Sequence, residues 1–215
     1  MTRAIVYVEG PSDKAAMEAL LAPLLGQLRS RGVAVDFFET ASGDRKKSLV
    51  LKTPERAVNI LHNQPGSVVV ALPDLYPKNH GFEHETSEEL AAGMLDVFRA
   101  AVRRKRLENG ASLETRFKVF CFKHDLEALI LASEEALRAH LRAPRLKRSW
   151  RLPVEDIDHG HPPKRVVEEV FREHGQRYRD TVDAPLILGA GSYASVADAC
   201  PQCFRPFLDF LTSLE

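Results

Sequence analysis

The sequence predicts an α/β protein with a parallel sheet flanked by helices, followed by a mostly helical C-terminal part. Short apolar runs rich in β-branched residues alternate with amphipathic stretches over roughly the first 125 residues, which is typical of a parallel sheet covered by helices. Beyond that point strand-like runs cease, and Pro-rich turns separate short helical patterns. We therefore expect an α/β core over residues 1–125 and a helical extension over 126–215 packed on it.

Four apolar runs predict the strands. The first, residues 4–8, is continuously apolar, as expected for a strand buried on both faces. The other three are residues 33–38, 67–72 and 117–122. Helical periodicity follows in six places: from about residue 11 to near Gly32, from the basic turn at Arg45 to near His62, and over 87–108, 126–131, 134–141 and 164–174.

Composition excludes several classes of protein. Hydrophobic residues make up 44% and charged residues 28% of the 215 residues, which is ordinary for a globular protein. The 30 basic and 30 acidic residues cancel, so a nucleic-acid role depends on local clusters. No apolar run approaches the roughly 20 residues of a membrane span, no leader pattern opens the chain, and there are only three cysteines. We expect a cytoplasmic protein without a disulfide framework.

Acidic residues stand where three of the predicted strands end. Glu9 closes the first strand, Asp74 follows the third, and His124, Asp125 and Glu127 follow the fourth. Parallel strands share one carboxyl edge, so we expect these groups to converge there. Clustered carboxylates repel one another unless a cation compensates, and oxygen ligands suit Mg²⁺ or Mn²⁺ together with a substrate phosphate. The pattern indicates metal-assisted phosphodiester chemistry.

A structural interpretation stands beside this one for each acid taken alone. Acids at strand ends often cap helices or form turns, and Asp13 is explained by the dipole of the helix that it begins. The combination is more specific, since Glu9 and Asp74 each close an apolar strand at a Gly or Pro turn.

The segment VEGPSD after the first strand, with an acid at the end of the third, resembles the Toprim fold. That fold is shared by topoisomerases, bacterial primases and nucleases of the overcoming-lysogenization-defect (OLD) family. The resemblance implies that Glu9 and Asp74 hold Mg²⁺ during strand cleavage or joining. Toprim enzymes usually carry Asp-x-Asp, and Tyr76 stands at the second position here. A further acid, Glu127 or Asp125, is then expected to complete the site.

The chain also resembles, over nearly its whole length, an uncharacterised bacterial Toprim-like family whose members are often encoded near ATPases or defence genes. Four motifs carry this resemblance in the right order: Glu9-Gly10, Asp74-Leu75-Tyr76, His124-Asp125-Leu126-Glu127-Ala128-Leu129 and Pro162-Pro163-Lys164-Arg165. It implies an effector of an ATPase-coupled antiphage defence system. No Walker loop is present, so any ATP hydrolysis would come from a partner.

Basic and cysteine-containing motifs have both functional and structural interpretations. Lys46 follows the second strand and Lys164 and Arg165 follow two prolines, where contacts to phosphates are plausible. The run 142–151 places basic residues around Trp150, which could stack on a base or anchor a loop. The pair Cys200 and Cys203 has no second pair to complete a zinc site, so we interpret it as two buried structural thiols.

The expected function is a Mg²⁺- or Mn²⁺-dependent nuclease acting on DNA or RNA. Glu9, Asp74 and Glu127 are the expected metal ligands, with Asp125 as the substitute, and His124 is the expected general acid or base. Lys46, Lys164 and Arg165 are expected to contact phosphates. One alternative is a non-catalytic regulatory subunit that binds an ATPase or nucleic acid through the same scaffold. Another is a phosphotransferase acting on a small nucleotide. The sequence leaves the oligomeric state open.

Overall fold

The computed structural model describes residues 2–41, 43–76, 78 and 81–215, and its fold class is the predicted one. Four parallel strands form one sheet in the order β2-β1-β3-β4. Their bounds are Thr2–Val8 for β1, Val33–Glu39 for β2, Ser67–Ala71 for β3 and Phe117–Val119 for β4. The chain leaves β1 toward β2 on one side and returns to β3 on the other. The topological switch point, where open α/β sheets bind ligands, therefore lies between β1 and β3.

The register of the sheet explains what stands at this switch point. Tyr7 is paired with Ala71, and the Leu72 amide donates to the Tyr7 carbonyl at 2.9 Å. The residues that follow β1 and β3 consequently emerge side by side at the carboxyl edge. Upstream, Ala4, Val6 and Val8 lie on one face of β1 and are fully buried, and Ile5 on the other face is 4% exposed, as expected for a central strand covered on both faces.

Helices account for most of the remaining chain. They are α1 (Pro11–Ser30), α2 (Arg45–Lys47), α3 (Thr53–Asn63), α4 (Ser87–Arg104), α5 (Gly110–Glu114), α6 (Glu127–Ala132), α7 (Glu134–His140), α8 (Pro163–Glu173), α9 (Asp180–Ala190), α10 (Tyr193–Ala199) and α11 (Phe204–Thr212). A π-helical turn, Ser48–Lys52, joins α2 to α3, and a 3-10 turn occupies Val154–Asp156. No helix of the described chain is long and apolar enough to cross a bilayer.

Two element ends differ from the sequence prediction. The fourth strand ends at Val119 rather than residue 122, because the last bond of the continuous ladder is donated by the Phe120 amide to the Ala71 carbonyl and Phe122 forms only an isolated bridge. Cys121 and Phe122 remain buried outside the ladder. The helix predicted to reach residue 108 ends at Arg104, because Arg106 adopts a positive φ of 54°.

The chain divides into two compact units. The first consists of Met1–Gly10, Leu25–Cys121 and Ser213–Glu215, and it contains the sheet. The second consists of Pro11–Leu24 and Phe122–Thr212. Apart from its share of α1, the second unit contains α6 to α11 and the 3-10 turn.

Candidate functional site

In the first unit, Glu9 and Asp74 meet at the switch point. The Asp74 backbone amide donates to Glu9 Oε1 at 3.2 Å. The Thr40 hydroxyl, just after β2, donates to the Glu9 carbonyl at 2.8 Å and lies 3.2 Å from the Arg45 carbonyl. The turn after β2 is thereby tied to the end of β1. The backbone of Asp74 thus lies beside the Glu9 side chain, and a metal site shared by the two carboxylates stays a prediction.

The electrostatic environment of Glu9 is that of a poorly solvated carboxylate. Burial raises the pKa of Glu9, and the nearby charge of Asp44 adds to this. The positive charge of Lys46 and the Asp74 amide act in the opposite direction, but they do not cancel the effect of burial on the pKa. A cation bound beside Glu9 would compensate for lost hydration. Lys46 is the basic residue of the β2 turn whose charge acts on Glu9.

Tyr76 does not take the place of a second acid. Its hydroxyl donates to the Glu85 carbonyl at 3.2 Å, so it serves to hold the segment that leads into α4. The side chain of Lys78 forms an ion pair with Glu85 in the same segment.

A second group of ionisable side chains lies within the second unit, around Glu127 at the start of α6. The Glu127 side chain is 4% exposed, and its Oε1 lies 3.6 Å from Lys164 Nζ at the start of α8. Lys164 Nζ also lies 3.6 Å from Asp180 Oδ2, at the start of α9. Asp125 accepts a hydrogen bond from the Lys164 backbone amide. We call Asp125, Glu127, Lys164, Tyr178 and Asp180 the α6 cluster.

Burial dominates the protonation behaviour of the α6 cluster. Burial and the charge of Glu127 raise the pKa of Asp125 to about 7, although Lys164 acts to lower it. Burial also raises the pKa of Glu127. Lys164 loses solvation, but Glu127, Asp180 and Asp125 outweigh this and raise its pKa. The α6 cluster therefore has more carboxylates than its single lysine neutralises.

One buried oxygen atom of the α6 cluster, Asp125 Oδ1, has no hydrogen-bond partner in the described chain. The Tyr178 hydroxyl donates to the Glu127 carboxylate, and burial together with that carboxylate raises the pKa of the phenol. An unsatisfied buried oxygen is costly in a folded protein. Asp125 Oδ1 therefore marks the α6 cluster as a place where an added donor or cation would be favourable.

His124 is buried in the second unit, with its ring centroid 5.0 Å from that of His159. Burial lowers the pKa of His124, and the charges of His159 and Lys123 add to this. The ring is therefore neutral at pH 7. Hydrogen bonds to the backbone of Ile157 and Glu155 act to raise the pKa but do not outweigh burial.

The remaining basic residues differ in their surroundings. Arg165 is 61% exposed and lies 3.4 Å from Glu169 on its own helix. Arg148 pairs with Glu169 and Glu173, and the Trp150 indole donates to the Leu131 carbonyl at 3.1 Å. Of the two interpretations of the run 142–151, loop anchoring is therefore the one observed at Trp150.

The cysteine pair is part of a structural turn. Cys200 and Cys203 are buried free thiols, in agreement with the sequence interpretation. Burial and the charge of Glu155 raise the pKa of Cys200, which keeps the thiol protonated. The Glu155 carboxylate, 2% exposed, accepts amide hydrogens from Gln202, Cys203 and Phe204 at 2.6, 2.7 and 3.3 Å. Glu155 thus caps the N-terminus of α11.

The predicted site residues fall into two groups. Glu9, Asp74 and Lys46 belong to the first unit, whereas His124, Asp125, Glu127, Lys164 and Arg165 belong to the second. Within the residues that the structure describes, no group of three or more His, Cys, Asp or Glu side chains is arranged to hold a metal ion. The convergence of all three acids stays a prediction.

The sequence did not predict Tyr178 and Asp180 as members of a candidate site. They follow α8 in a polar stretch, RYRD, that ends no strand and begins no strong helical pattern. One pattern could have indicated Tyr178: an aromatic residue stands between two arginines. In an extended segment the side chain of Tyr178 then points to the opposite side from those of Arg177 and Arg179.

Comparison with known proteins gives a family. None of the curated proteins matches the chain. Among solved structures, the chain is similar to the C-terminal region of the Burkholderia pseudomallei OLD protein, with 16% identity and a TM-score of 0.47 over 99% of this chain and 98% of that one. It is also similar to the C-terminal region of the Xanthomonas campestris pv. campestris OLD protein, with 19% identity and a TM-score of 0.43 over 98% and 94%. Similarity at this level does not establish an activity. A family model described as a domain of unknown function, DUF4276, matches residues 8–212, and the chain therefore belongs to that family.

Proposed function

We propose that the protein is a Mg²⁺- or Mn²⁺-dependent nuclease of the Toprim type, acting on nucleic-acid phosphodiesters. The observation that carries the proposal is the half-buried Glu9 carboxylate at the switch point, which accepts a hydrogen bond from the Asp74 amide at 3.2 Å. Ligands bind at this edge in open α/β sheets. The nearby charge of Lys46 suits a phosphate that approaches a metal.

The residues present fit such an ion by the chemistry of their donor atoms. Mg²⁺ typically takes one or two carboxylates and completes its shell with water and substrate phosphate, which Glu9 and Asp74 can provide. A bound ion would supply Lewis-acid stabilisation of the charge on the phosphate. Glu9 is oriented for this role by the Asp74 amide, and its raised pKa means that a proton competes with the ion for this carboxylate more than for an ordinary glutamate.

The α6 cluster supports the same chemistry. Lys164 is a cation held between carboxylates, a suitable partner for a phosphate oxygen. Asp125 Oδ1 is buried without a hydrogen-bond partner in the described chain, so Asp125 has an oxygen available for a ligand. His124, neutral at pH 7, would accept a proton as a general base.

The test is cleavage of plasmid and single-stranded nucleic acid in Mn²⁺ by the purified chain. Glu9→Gln should abolish cleavage and weaken Mn²⁺ binding measured by calorimetry. Glu39→Gln is the matched control, because Glu39 ends the neighbouring strand β2 but is exposed. Cleavage that survives in Glu9→Gln, or is lost equally in both variants, would show that Glu9 holds no essential ion.

One observation favours a second candidate, a binding subunit that relies on a partner ATPase. Tyr76, where a second acid is expected, is committed to the Glu85 carbonyl. A chain that binds nucleic acid in EDTA and in Mn²⁺ equally, and cleaves neither substrate, would support this candidate. Cleavage lost in Glu9→Gln would exclude it.

A further inference from the structure

The second unit contains a groove whose charge the proposed metal site does not explain. Two adjoining depressions of about 480 and 450 Å³ share Glu168, Arg177 and Tyr178 as lining residues. Four cationic side chains line them, Lys164, Arg172, Arg177 and Arg179, against two carboxylates, Glu168 and Asp180. We call these four residues, with Glu168 and Tyr178, the arginine groove. From its charge and shape we infer that it binds the phosphates of a single-stranded nucleic acid.

The local structure places the cations along two walls. On α8, Lys164, Glu168 and Arg172 recur every four residues and so lie on one face of the helix. They span about 12 Å at 1.5 Å per residue. The opposite wall is the non-helical segment 176–179. Tyr178 is buried there while Arg177 and Arg179 are exposed, as alternation in an extended segment requires.

The arginines of the groove are poorly neutralised by the protein itself. No ion pair joins Arg172 or Arg177 to an acidic side chain in the part of the chain that the structure describes. Arg179 Nε lies 3.6 Å from Asp183, but that carboxylate already accepts from His140 and from the Arg179 amide. Arg148, by contrast, is paired with two glutamates on α8. Unpaired guanidinium groups in a concave site suit phosphate oxygens.

Two features favour a single strand over a duplex. Small concave depressions can follow an exposed backbone, whereas a duplex offers its phosphates on a wide convex cylinder. Val182, 40% exposed, also lines the groove beside Arg179, and it gives an apolar surface on which an unstacked base can pack. The inference rests on the proposed function for the choice of nucleic acid, but its test concerns Arg172 and Arg177, which take no part in the proposed metal site.

The test uses the full chain in EDTA and a short fluorescein-labelled oligodeoxythymidylate, with fluorescence anisotropy as the readout. Replacing both Arg172 and Arg177 by Gln should weaken binding about tenfold and reduce the salt slope by about 1.4, since each lost contact to a single strand contributes about 0.7. Glu168→Gln should strengthen binding, because it removes the one carboxylate between the two α8 cations. Arg145→Gln, an exposed arginine of the same unit outside the groove, is the matched control and should bind as the unchanged chain does.

Three results would overturn the inference. The double arginine variant could bind as tightly as Arg145→Gln, the matching duplex could bind more tightly than the single strand, or polyglutamate could displace the oligonucleotide, which would assign the groove to an acidic protein. The proposed function fails separately. If Glu9→Gln retains cleavage while the arginine variants lose affinity, the groove stands and the metal site does not.

Discussion

Among the side chains of the α6 cluster, Asp125 contributes most to the free-energy cost of burying ionisable groups. It is mostly buried, next to Glu127, and one of its oxygens makes no hydrogen bond in the described chain. An acid in such a place prefers to be protonated. The folded chain therefore binds this proton more tightly than the unfolded chain, and the free energy of unfolding depends on pH.

We predict that Asp125→Asn removes a large part of that pH dependence. The pKa of Asp125 is about 7 in the folded chain against an ordinary 3.8, so the free energy of unfolding falls as pH rises between these values and is level above them. The loss attributable to Asp125 should be about 2–4 kcal/mol. Urea unfolding at pH 5 and pH 8 in EDTA measures it, with exposed Asp209→Asn as the control. Equal pH dependence in Asp125→Asn and the unchanged chain would contradict the prediction.

Arg116 shows the opposite situation, a cation whose hydrogen bonds are all to backbone. Its guanidinium donates to the carbonyls of Leu61, Gln64, Pro65 and Ser67 at 2.8 to 3.1 Å. It thereby closes the end of α3 onto the start of β3.

Arg116→Lys should lower the free energy of unfolding by about 1.5–3 kcal/mol, because one ammonium cannot reproduce a fork that meets several carbonyls. Urea unfolding measures the loss. Arg103→Lys, a substitution on the exposed end of α4, should be nearly neutral by the same assay. A similarly small effect at Arg116 would mean that water replaces the lost donors.

At the residue scale, the candidate groups that the sequence named are those that follow strands. Glu9 and Asp74 were named because parallel strands deliver their ends to one edge. Asp125, Glu127 and Lys164 were named as candidates, but Tyr178 and Asp180 were not. Their approach to Glu127 depends on the packing of α6, α8 and α9, which no local pattern records.

At the scale of elements, α4, α7 and α8 each end at a residue with a positive φ, which is a glycine in one case and an arginine in the other two. Gly175 ends α8 with a φ of 71°, whereas Arg106 and Arg142 take a φ of 54° after α4 and α7. All three ends have the same pair of hydrogen bonds, in which two successive backbone amides after the helix donate to carbonyls of its last turn. A side chain in this region of φ is strained, and glycine is not.

We therefore predict opposite signs for exchanges at these ends. Arg106→Gly and Arg142→Gly should each raise the free energy of unfolding by about 0.5–1 kcal/mol, and Gly175→Ala should lower it by about 1 kcal/mol. Thermal unfolding of the three variants gives the comparison. A loss of stability on introducing glycine would mean that the arginine side chains make contacts that outweigh the strain.

Gly93 lies in the middle of α4 with an ordinary helical φ. A side chain at this position would collide with a neighbouring ring. A Cβ at this position would lie 2.3 Å from the ring of Phe82, which packs at 5.6 Å from the buried His84 ring. Replacing an exposed helical glycine by alanine usually stabilises a protein by about 1 kcal/mol.

Here we expect the reverse. Gly93→Ala should destabilise the chain, and in a Phe82→Ala background the same exchange should stabilise it by about 1 kcal/mol. The double-mutant cycle from urea unfolding isolates the clash. If Gly93→Ala has the same effect in both backgrounds, the ring moves aside without cost.

The elements themselves were largely predictable because their periodicity is strong. All four strands were found, and α6, α7 and α8 lie within two residues of their predicted bounds. The helices α9 and α10 were not predicted, since Pro185 lies inside α9 and the pattern around Gly189 and Gly191 favours a loop. Tertiary packing overrides local preference at such places.

At the scale of the whole molecule, the helix α1 belongs to both compact units, with the boundary after Leu24. Its side chains Met17, Leu20 and Leu21 are almost completely buried. A Cβ at Gly189 would lie 3.3 Å from that of Ala19, so α1 and α9 approach closely inside the second unit. The sequence placed a boundary near residue 125 because strand patterns cease there. That change in periodicity does not indicate which unit an earlier helix such as α1 packs into.

We predict that a fragment ending at residue 125 does not fold as an independent core. It keeps residues 11–24 but loses the rest of the second unit, which exposes the apolar side chains of α1 to water. Near-UV circular dichroism and thermal unfolding of the fragment provide the measurement. A cooperative transition in a monomeric fragment would instead support the boundary at residue 125.

The cap at α11 also bears on how the chain is made. Glu155 is buried and depends on three amides contributed by residues 202–204, some 47 to 49 positions later. Until those residues leave the ribosome, the carboxylate must stay hydrated, and the segment around it cannot close. Completion of the second unit is thus tied to the synthesis of residues 202–204, and a chain that terminates before them retains an open, hydrated segment that proteases can cut.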